Sequence, residues 1–310
     1  MSNMSIIPIA FCFDANLVMP AGVCITSLLK NANKDTFYDI YIIHSEIEKK
    51  DLNKLTQLID IYQNCNITFI LAQNEFTSAY QVREITTLTY YRLLIPELIT
   101  KYDKILYSDV DVIFRSDMTE YYNIDLGDNY FGAVDVVLPL RPDIKGHVET
   151  ILQIDSAKGY FLAGNLVINS RKLREDNMVK RFIEMSQNDY YFQDMDIINI
   201  SCQDKFTPVP LSYCLTNYFY TLIHTQRENL TKYVSAEEID KAVQTGIIHY
   251  NGPKPWLTTC YGYDIWWTYY RDSIFYEDAF CYEHYTKLIT EADRWTLKKR
   301  IKHLLNYFRK

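Results

Sequence analysis

Residues 104–114 read KILYSDVDVIF, an apolar run interrupted by two aspartates, Asp109 and Asp111, one residue apart. Read as a strand, the run points residues i and i+2 to one face, so the two carboxylates share a surface and repel each other. An ionised carboxylate is costly to bury without a partner. The pair is therefore either solvated in a cleft or neutralised by a cation. Ile105, Leu106 and Tyr107 before it, and Val112, Ile113 and Phe114 after it, argue against a simple exposed turn and for a metal or a cationic ligand. Two solvated acids at a strand end are the plainer alternative, and both readings stand at this point.

Working outward, Ile6–Phe13 reads as a buried strand, followed by the loop DANLVMP (14–20) and a helix over 21–32. Residues 37–45 read as a second strand. Residues 49–63 read as a helix with Leu52, Leu55, Leu58, Ile59 and Tyr62 on one face, and 66–72 as a third strand. TLTYYRLLIPELITKY (87–102) reads as a helix with Pro96 near its bend or end. Further on, 159–170 reads as a strand and 171–187 as a helix. Residues 235–246 read as a helix with a capping box from Ser235 to Glu238, closed by Gly246. Strand-helix alternation predicts an α/β fold with a doubly wound, mostly parallel sheet. Ligands of such sheets sit at the carboxyl ends of the strands, where Asp14 would meet Asp109 and Asp111.

The 310 residues suffice for one large α/β domain or two modest ones, and no linker, repeat or low-complexity segment divides them. No uninterrupted apolar run approaches ~18 residues, so no membrane span is expected. The opening MSNMSIIPIAFCFD lacks a basic n-region and a cleavage site; it reads as the first strand, and export is not expected. Seven cysteines without a C-x-x-C pair suggest reduced thiols and a cytoplasmic protein.

The net charge of −7 hides an asymmetry. Residues 294–310 carry seven of the 32 basic side chains and no acid, leaving 25 basic against 39 acidic over residues 1–293. Leu297, Ile301, Leu304, Leu305 and Phe308 recur at helical spacing among Lys298, Lys299, Lys302 and Arg309. Such a helix either lies on an anionic membrane surface or packs on the body through its apolar stripe. The acidic body disfavours nucleic acid as a partner. The 27 tyrosines crowd beyond residue 210, where core packing is the commoner use and sugar stacking the alternative.

P-loop, G-x-G-x-x-G, H-E-x-x-H and G-x-S-x-G motifs are absent. FQDMDIIN (192–199) offers Asp194 and Asp196, which helical spacing sends to different faces, so one of them is expected to aim inward. IIHYNGPKPW (247–256) combines His249, the turn Asn251-Gly252-Pro253 and Lys254: a borderline metal ligand, close backbone approach and a cation, suited to a divalent ion and a pyrophosphate.

IPIAFCFDAN, TYYRLLIPEL, DKILYSDVDVIF, GYFLAGNLVIN, QDMDIIN and IIHYNGPKPW occur here in the order found in the family-eight glycosyltransferases, which the chain resembles over residues 6–256. The resemblance implies a GT-A fold over residues 1–256, with 257–310 as an aromatic and basic helical region. It implies a UDP-sugar donor (UDP-glucose or UDP-galactose), a hydroxyl of a glycan as acceptor, and transfer with retention. It also implies Mn²⁺ (Mg²⁺ as the alternative) on Asp109, Asp111 and His249; the imidazole favours Mn²⁺. By position, Asp14 and Asn16 would contact uracil and ribose. Arg92 would bind the donor near phosphate and sugar, Gly252 and Lys254 would hold the diphosphate, and Asp194 the sugar hydroxyls. Asp135 would face the sugar or the acceptor.

Three departures qualify this. Leu162 stands where the family often has the Asn of F-N-A-G, and Asn165 is not a given replacement. Met195 stands where the family often has the second Gln of Q-D-Q-D. That excludes a covalent route relying on the amide and favours front-face displacement, with an intermediate on Asp194 as the alternative. Ala15 stands where an acid is common. A non-catalytic sugar-nucleotide scaffold and a metal-dependent phosphoesterase are the rival readings.

Overall fold

The computed structural model describes residues 4–73, 76 and 87–307. Its strands in chain order are β1 (Ser5–Phe13), β2 (Thr36–His44), β3 (Cys65–Leu71), β4 (Ile105–Ser108), β5 (Val112–Phe114), β6 (Phe131–Ala133), β7 (Asn165–Ile168), β8 (Phe206–Pro208), β9 (Leu215–Thr216) and β10 (Ile247–His249). Seven form one sheet in the order β3-β2-β1-β4-β7-β6-β8, and β5-β10-β9 form a second. β3, β2, β1 and β4 run parallel, and β7 is antiparallel to both its neighbours. The expected mostly parallel α/β sheet is present.

Side-chain alternation covers both faces of this sheet. Ile7, Ile9, Phe11 and Phe13 of β1, Ile40 and Ile42 of β2 and Leu106 of β4 enter one apolar cluster with α1 (Val18–Lys30) and α2 (Lys49–Tyr62). Ala10, Tyr41, Ile43 and Tyr107 enter a second cluster with Tyr90, Leu93, Leu166 and Phe182. A period of two with apolar residues at both phases is what a sheet buried on both sides requires. The aromatic C-terminal third is largely core: Trp266, Trp267 and Tyr270 are almost fully buried in the first cluster. All seven cysteines stand as free thiols.

Several elements differ from their sequence reading for identifiable reasons. Residues 87–102 are not one helix. Thr87–Leu94 is a 3-10 segment and Ile95–Leu98 a single α-turn. Pro96 has no N–H to give the carbonyl of Arg92, so a continuous helix fails there. Residues 171–187 split into Ser170–Glu175 and Met178–Met185 at Asn177, which takes the left-handed conformation that asparagine tolerates. The strand expected over 159–170 shortens to β7, with Phe161 joined to Asp135 by an isolated bridge. The capping box closes by half: Ser235 Oγ accepts from Glu238 N, but the Glu238 carboxylate turns to Leu211 N at 2.6 Å.

The C-terminal helix Leu297–Tyr307 does not lay its apolar stripe on the body: Leu297, Ile301, Leu304 and Leu305 are all exposed. Phe308 and Arg309, counted in that stripe and its basic flank, lie outside the described residues. No helix among the described residues is long and apolar enough to cross a membrane.

Candidate active site

The strand order reverses direction between β1 and β4, and at such a switch point the carboxyl ends of neighbouring strands open a crevice. Asp14 directly follows β1 and Asp109 directly follows β4. The Asp-x-Asp is therefore not inside a strand, as its apolar flanks suggest. Ser108 ends β4 of the large sheet, Val112 begins β5 of the small one, and residues 109–111 cross between them. Two backbone bonds pin the crossing: Asp109 N donates to Gly164 O and Tyr250 N to Asp111 O, both at 2.8 Å. β5 pairs antiparallel with β10, setting His249 opposite Val112.

These constraints bring the three predicted ligands together. His249 Nε2 lies 3.2 Å from Asp111 Oδ1 and 3.5 Å from Asp109 Oδ2, and ligand atoms of the three residues fit within 4.8 Å of one another. Lys254 pairs with the other Asp111 oxygen and donates to Tyr250 O at 2.8 Å. Burial opposes the charge on Asp111, but His249 and Lys254 outweigh it and hold the carboxyl well below its usual range. Burial likewise pushes the His249 imidazole down, and Asp111 overrides this and raises it well above its ordinary value. Two carboxylates and an imidazole fit a divalent ion of borderline softness. The space in front of them depends on Gly164, where a Cβ would fall 2.3 Å from His249 Cε1 and 2.8 Å from Asp109 Oδ2.

Arg92 is buried beside this cluster. Its Nη2 donates to Asp109 Oδ1 and Thr89 Oγ1, both at 2.9 Å, and its Nη1 to Ala163 O at 2.6 Å. The guanidinium lies over the Tyr107 ring, whose hydroxyl also donates to Asp109 Oδ1 at 2.6 Å. Asp194 Oδ2 sits 3.0 Å from Arg92 Nε, and Asp194 Oδ1 accepts from Thr89 at 2.9 Å. Burial raises the Asp194 carboxyl to about 6, with Arg92 offsetting part of the cost. Its Oδ2 is buried in ion contact but has no aligned hydrogen bond among the described residues. Gln193, at φ 48° and ψ −120°, starts the helix Asp194–Ser201 and aims Asp194 at Arg92, a backbone state worth about 1–3 kcal/mol of strain.

The two acids of 194–196 do face different ways, but both are buried, not one. Asp196 is fully enclosed and accepts from His147 Nε2 and Phe192 N, each at 2.9 Å, and from Tyr160. It ties segment 138–155 to the helix that carries Asp194. Asn165 does not substitute for the missing Asn at position 162: its amide is spent on Ser108 Oγ and Cys214 Sγ.

Asp14 caps a 3-10 turn by accepting from Asn16 N at 2.9 Å, and Asn16 is exposed at the same sheet edge. Asp135 accepts from Val137 N at 2.6 Å and lines a cavity of about 480 Å³ with Gly159, Pro139, Leu211 and Glu238; burial raises its carboxyl above the ordinary value. Gly252 packs on Asn217, a Cβ there reaching 3.0 Å from Asn217 Nδ2, and both polar atoms of that amide are buried with no hydrogen-bond partner among the described residues. Sequence reasoning passed over Thr89, Tyr107, Cys214 and Asn217. Thr89 precedes Arg92 by three, which aligns the two in a 3-10 turn, and Tyr107 precedes Asp109 by two, so spacing could have found both. Nothing in the sequence marks Cys214.

The family model for glycosyl transferase family 8 matches residues 8–260. The chain belongs to glycosyl transferase family 8. Its reaction class is thereby glycosyl transfer. Among relatives, it is 26% identical over 250 residues to a lipopolysaccharide 1,2-glucosyltransferase of Escherichia coli, covering 78% of this chain and 71% of that one. It is 25% identical over 255 residues to a lipopolysaccharide 1,3-galactosyltransferase of Salmonella typhimurium, covering 80% and 72%. Its fold is similar to that of the galactosyltransferase LgtC solved with donor and acceptor sugar analogues, with a TM-score of 0.72 and 24% identity over 88% of this chain and 98% of that one. The expected GT-A architecture is thus present in a member of the expected family.

Proposed function

We propose that this protein transfers glucose or galactose from a UDP-sugar to a hydroxyl of a glycan acceptor, with Mn²⁺ on Asp109, Asp111 and His249 and with retention of configuration. The convergence of those three side chains from two sheets, with Lys254 beside them, carries the reading. A bound divalent ion would supply positive charge against the departing diphosphate. Lys254 adds charge on the same side, and the Gly252 turn allows backbone approach. Asp14 and Asn16, at the adjacent strand end, serve the nucleoside.

Arg92 and Thr89 fix Asp194 so that its Oδ2, short of a hydrogen bond among the described residues, accepts one from a sugar hydroxyl. A carboxylate held by Arg92 is a poor nucleophile, which favours front-face displacement. The acceptor oxygen bonds to C1 as the C1–O bond to the β-phosphate breaks, and the acceptor's proton passes to a diphosphate oxygen. The cavity beside Asp135 receives part of the acceptor. The exposed apolar stripe and basic flank of residues 297–307 hold the enzyme against an anionic membrane surface on the cytoplasmic side, near a lipid-linked acceptor.

UDP release from a panel of UDP-sugars with a glycan acceptor, followed by proton NMR of the product's anomeric centre, tests this. One hexose donor consumed, with its α configuration preserved, is expected. An inverted product refutes retention, and release from no UDP-sugar refutes the donor class.

A further inference from the structure

Behind the three candidate ligands runs a line of buried polar side chains. Ser108 Oγ donates to Asn165 Oδ1 at 2.8 Å, and Asn165 Nδ2 donates to Cys214 Sγ at 3.4 Å. Cys214 Sγ lies 3.5 Å from His249 Nδ1. Ser108, Asn165 and Cys214 are each at most 1% exposed, and His249 6%. The line begins next to Asp109 in sequence and ends on the opposite side of the same cluster.

An imidazole ligates a metal through one nitrogen only when its proton sits on the other, and that N–H needs an acceptor to hold ring and tautomer. His249 presents Nε2 to Asp109 and Asp111, so with a metal bound there Nδ1 would carry the proton. The acceptor found there is neither carboxylate nor carbonyl but the sulfur of Cys214, a weak one. Asn165 donates to the same sulfur and so fixes its position. Both side chains are fully buried.

We infer that Cys214 is a positioning residue of the metal site: its sulfur accepts the Nδ1–H of His249 and aims Nε2 at the two carboxylates. This rests on the metal reading given above, and the test separates the two. Free Mn²⁺ is titrated by electron paramagnetic resonance against the full chain and against Cys214→Val, Cys214→Ser and Asp109→Asn, with melting curves for each. Valine keeps the volume and removes the acceptor; serine keeps an acceptor.

Valine is expected to weaken Mn²⁺ binding about 10-fold to 100-fold, serine by no more than about 3-fold, with the two melting within a few degrees of each other. If the valine variant fails to fold, Cys214→Ala takes its place against serine. Valine binding as tightly as the native chain, or valine and serine weakening equally, overturns the role of the sulfur and leaves the metal site standing. Native protein binding Mn²⁺ no better than Asp109→Asn overturns the metal reading itself.

Discussion

Replacing Gly164 by alanine tests how closely the site is built. Gly164 does not adopt a positive φ, so alanine fits the backbone and the effect is purely steric. The new Cβ would stand 2.3 Å from His249 Cε1, whereas ordinary contact begins at 3.4 Å. One of the two must retreat by roughly 1 Å. The backbone cannot, because Gly164 O accepts from Asp109 N at 2.8 Å and Asn165 opens β7 in register with Ser108. The imidazole moves instead. Metal sites tolerate displacements of only about 0.2 Å, and a misplacement of about 1 Å in a reacting constellation costs on the order of 100-fold in rate. Overpacking costs a further ~1–3 kcal/mol of stability. Gly164→Ala should therefore remain folded with a lowered melting temperature, bind Mn²⁺ at least tenfold more weakly by the outer-partner scale, and lose about two orders of magnitude in UDP release. Native-like Mn²⁺ affinity in a folded Gly164→Ala protein would refute the claim that His249 and Asp109 enclose the ion against this residue.

Arg92→Lys keeps the charge but loses the fork that spans Asp109, Thr89 and Ala163; kcat should fall by about 100-fold, and unchanged kcat would contradict the clamp. Burial lifts the folded Asp194 carboxyl to about 6 from an unfolded value near 4. Its favourable contribution to stability is thus full below the unfolded value and is lost as pH rises through about 6. Melting curves from pH 4 to 7 should therefore show native protein losing up to about 3 kcal/mol relative to Asp194→Asn, and parallel curves would exclude the shift. Replacing Leu297, Ile301, Leu304 and Leu305 by serine should abolish co-sedimentation with anionic vesicles without changing UDP release, and neutral vesicles should not retain the native chain. Equal retention of both proteins would place any membrane contact elsewhere.

The fold was legible because β1, β2 and β3 are long, apolar at both phases and separated by regular helices, so local pattern and global topology agree. It became illegible where a single residue decides: the left-handed Asn177 breaks a helical periodicity that otherwise runs through it, and the turns before Pro96 tighten to a 3-10 segment that periodicity does not distinguish from an α-helix. The proposed ligands Asp109, Asp111 and His249 stand out by residue type and context, and the family resemblance groups them. Their meeting depends on a crossing between two sheets that a strand reading of 104–114 does not contain. Asp196 was misread because periodicity tells which face a side chain takes, not whether that face is covered, and segment 138–155 covers it. Cys214 and Asn217 carry no motif. Each is singled out only by what the chain places against it from further along the sequence: His249 for the first, the Gly252 turn for the second.

Whether Asp109 holds a metal that drives transfer is decided by UDP release from native protein and from Asp109→Asn, side by side, with Mn²⁺ and with chelator. Release from one UDP-hexose is expected to require Mn²⁺ and to fall by at least 100-fold in the variant, the scale of losing one preorganised charge-stabilising group. Release that survives chelation, or an Asp109→Asn protein as active as the native one, would contradict the metal reading.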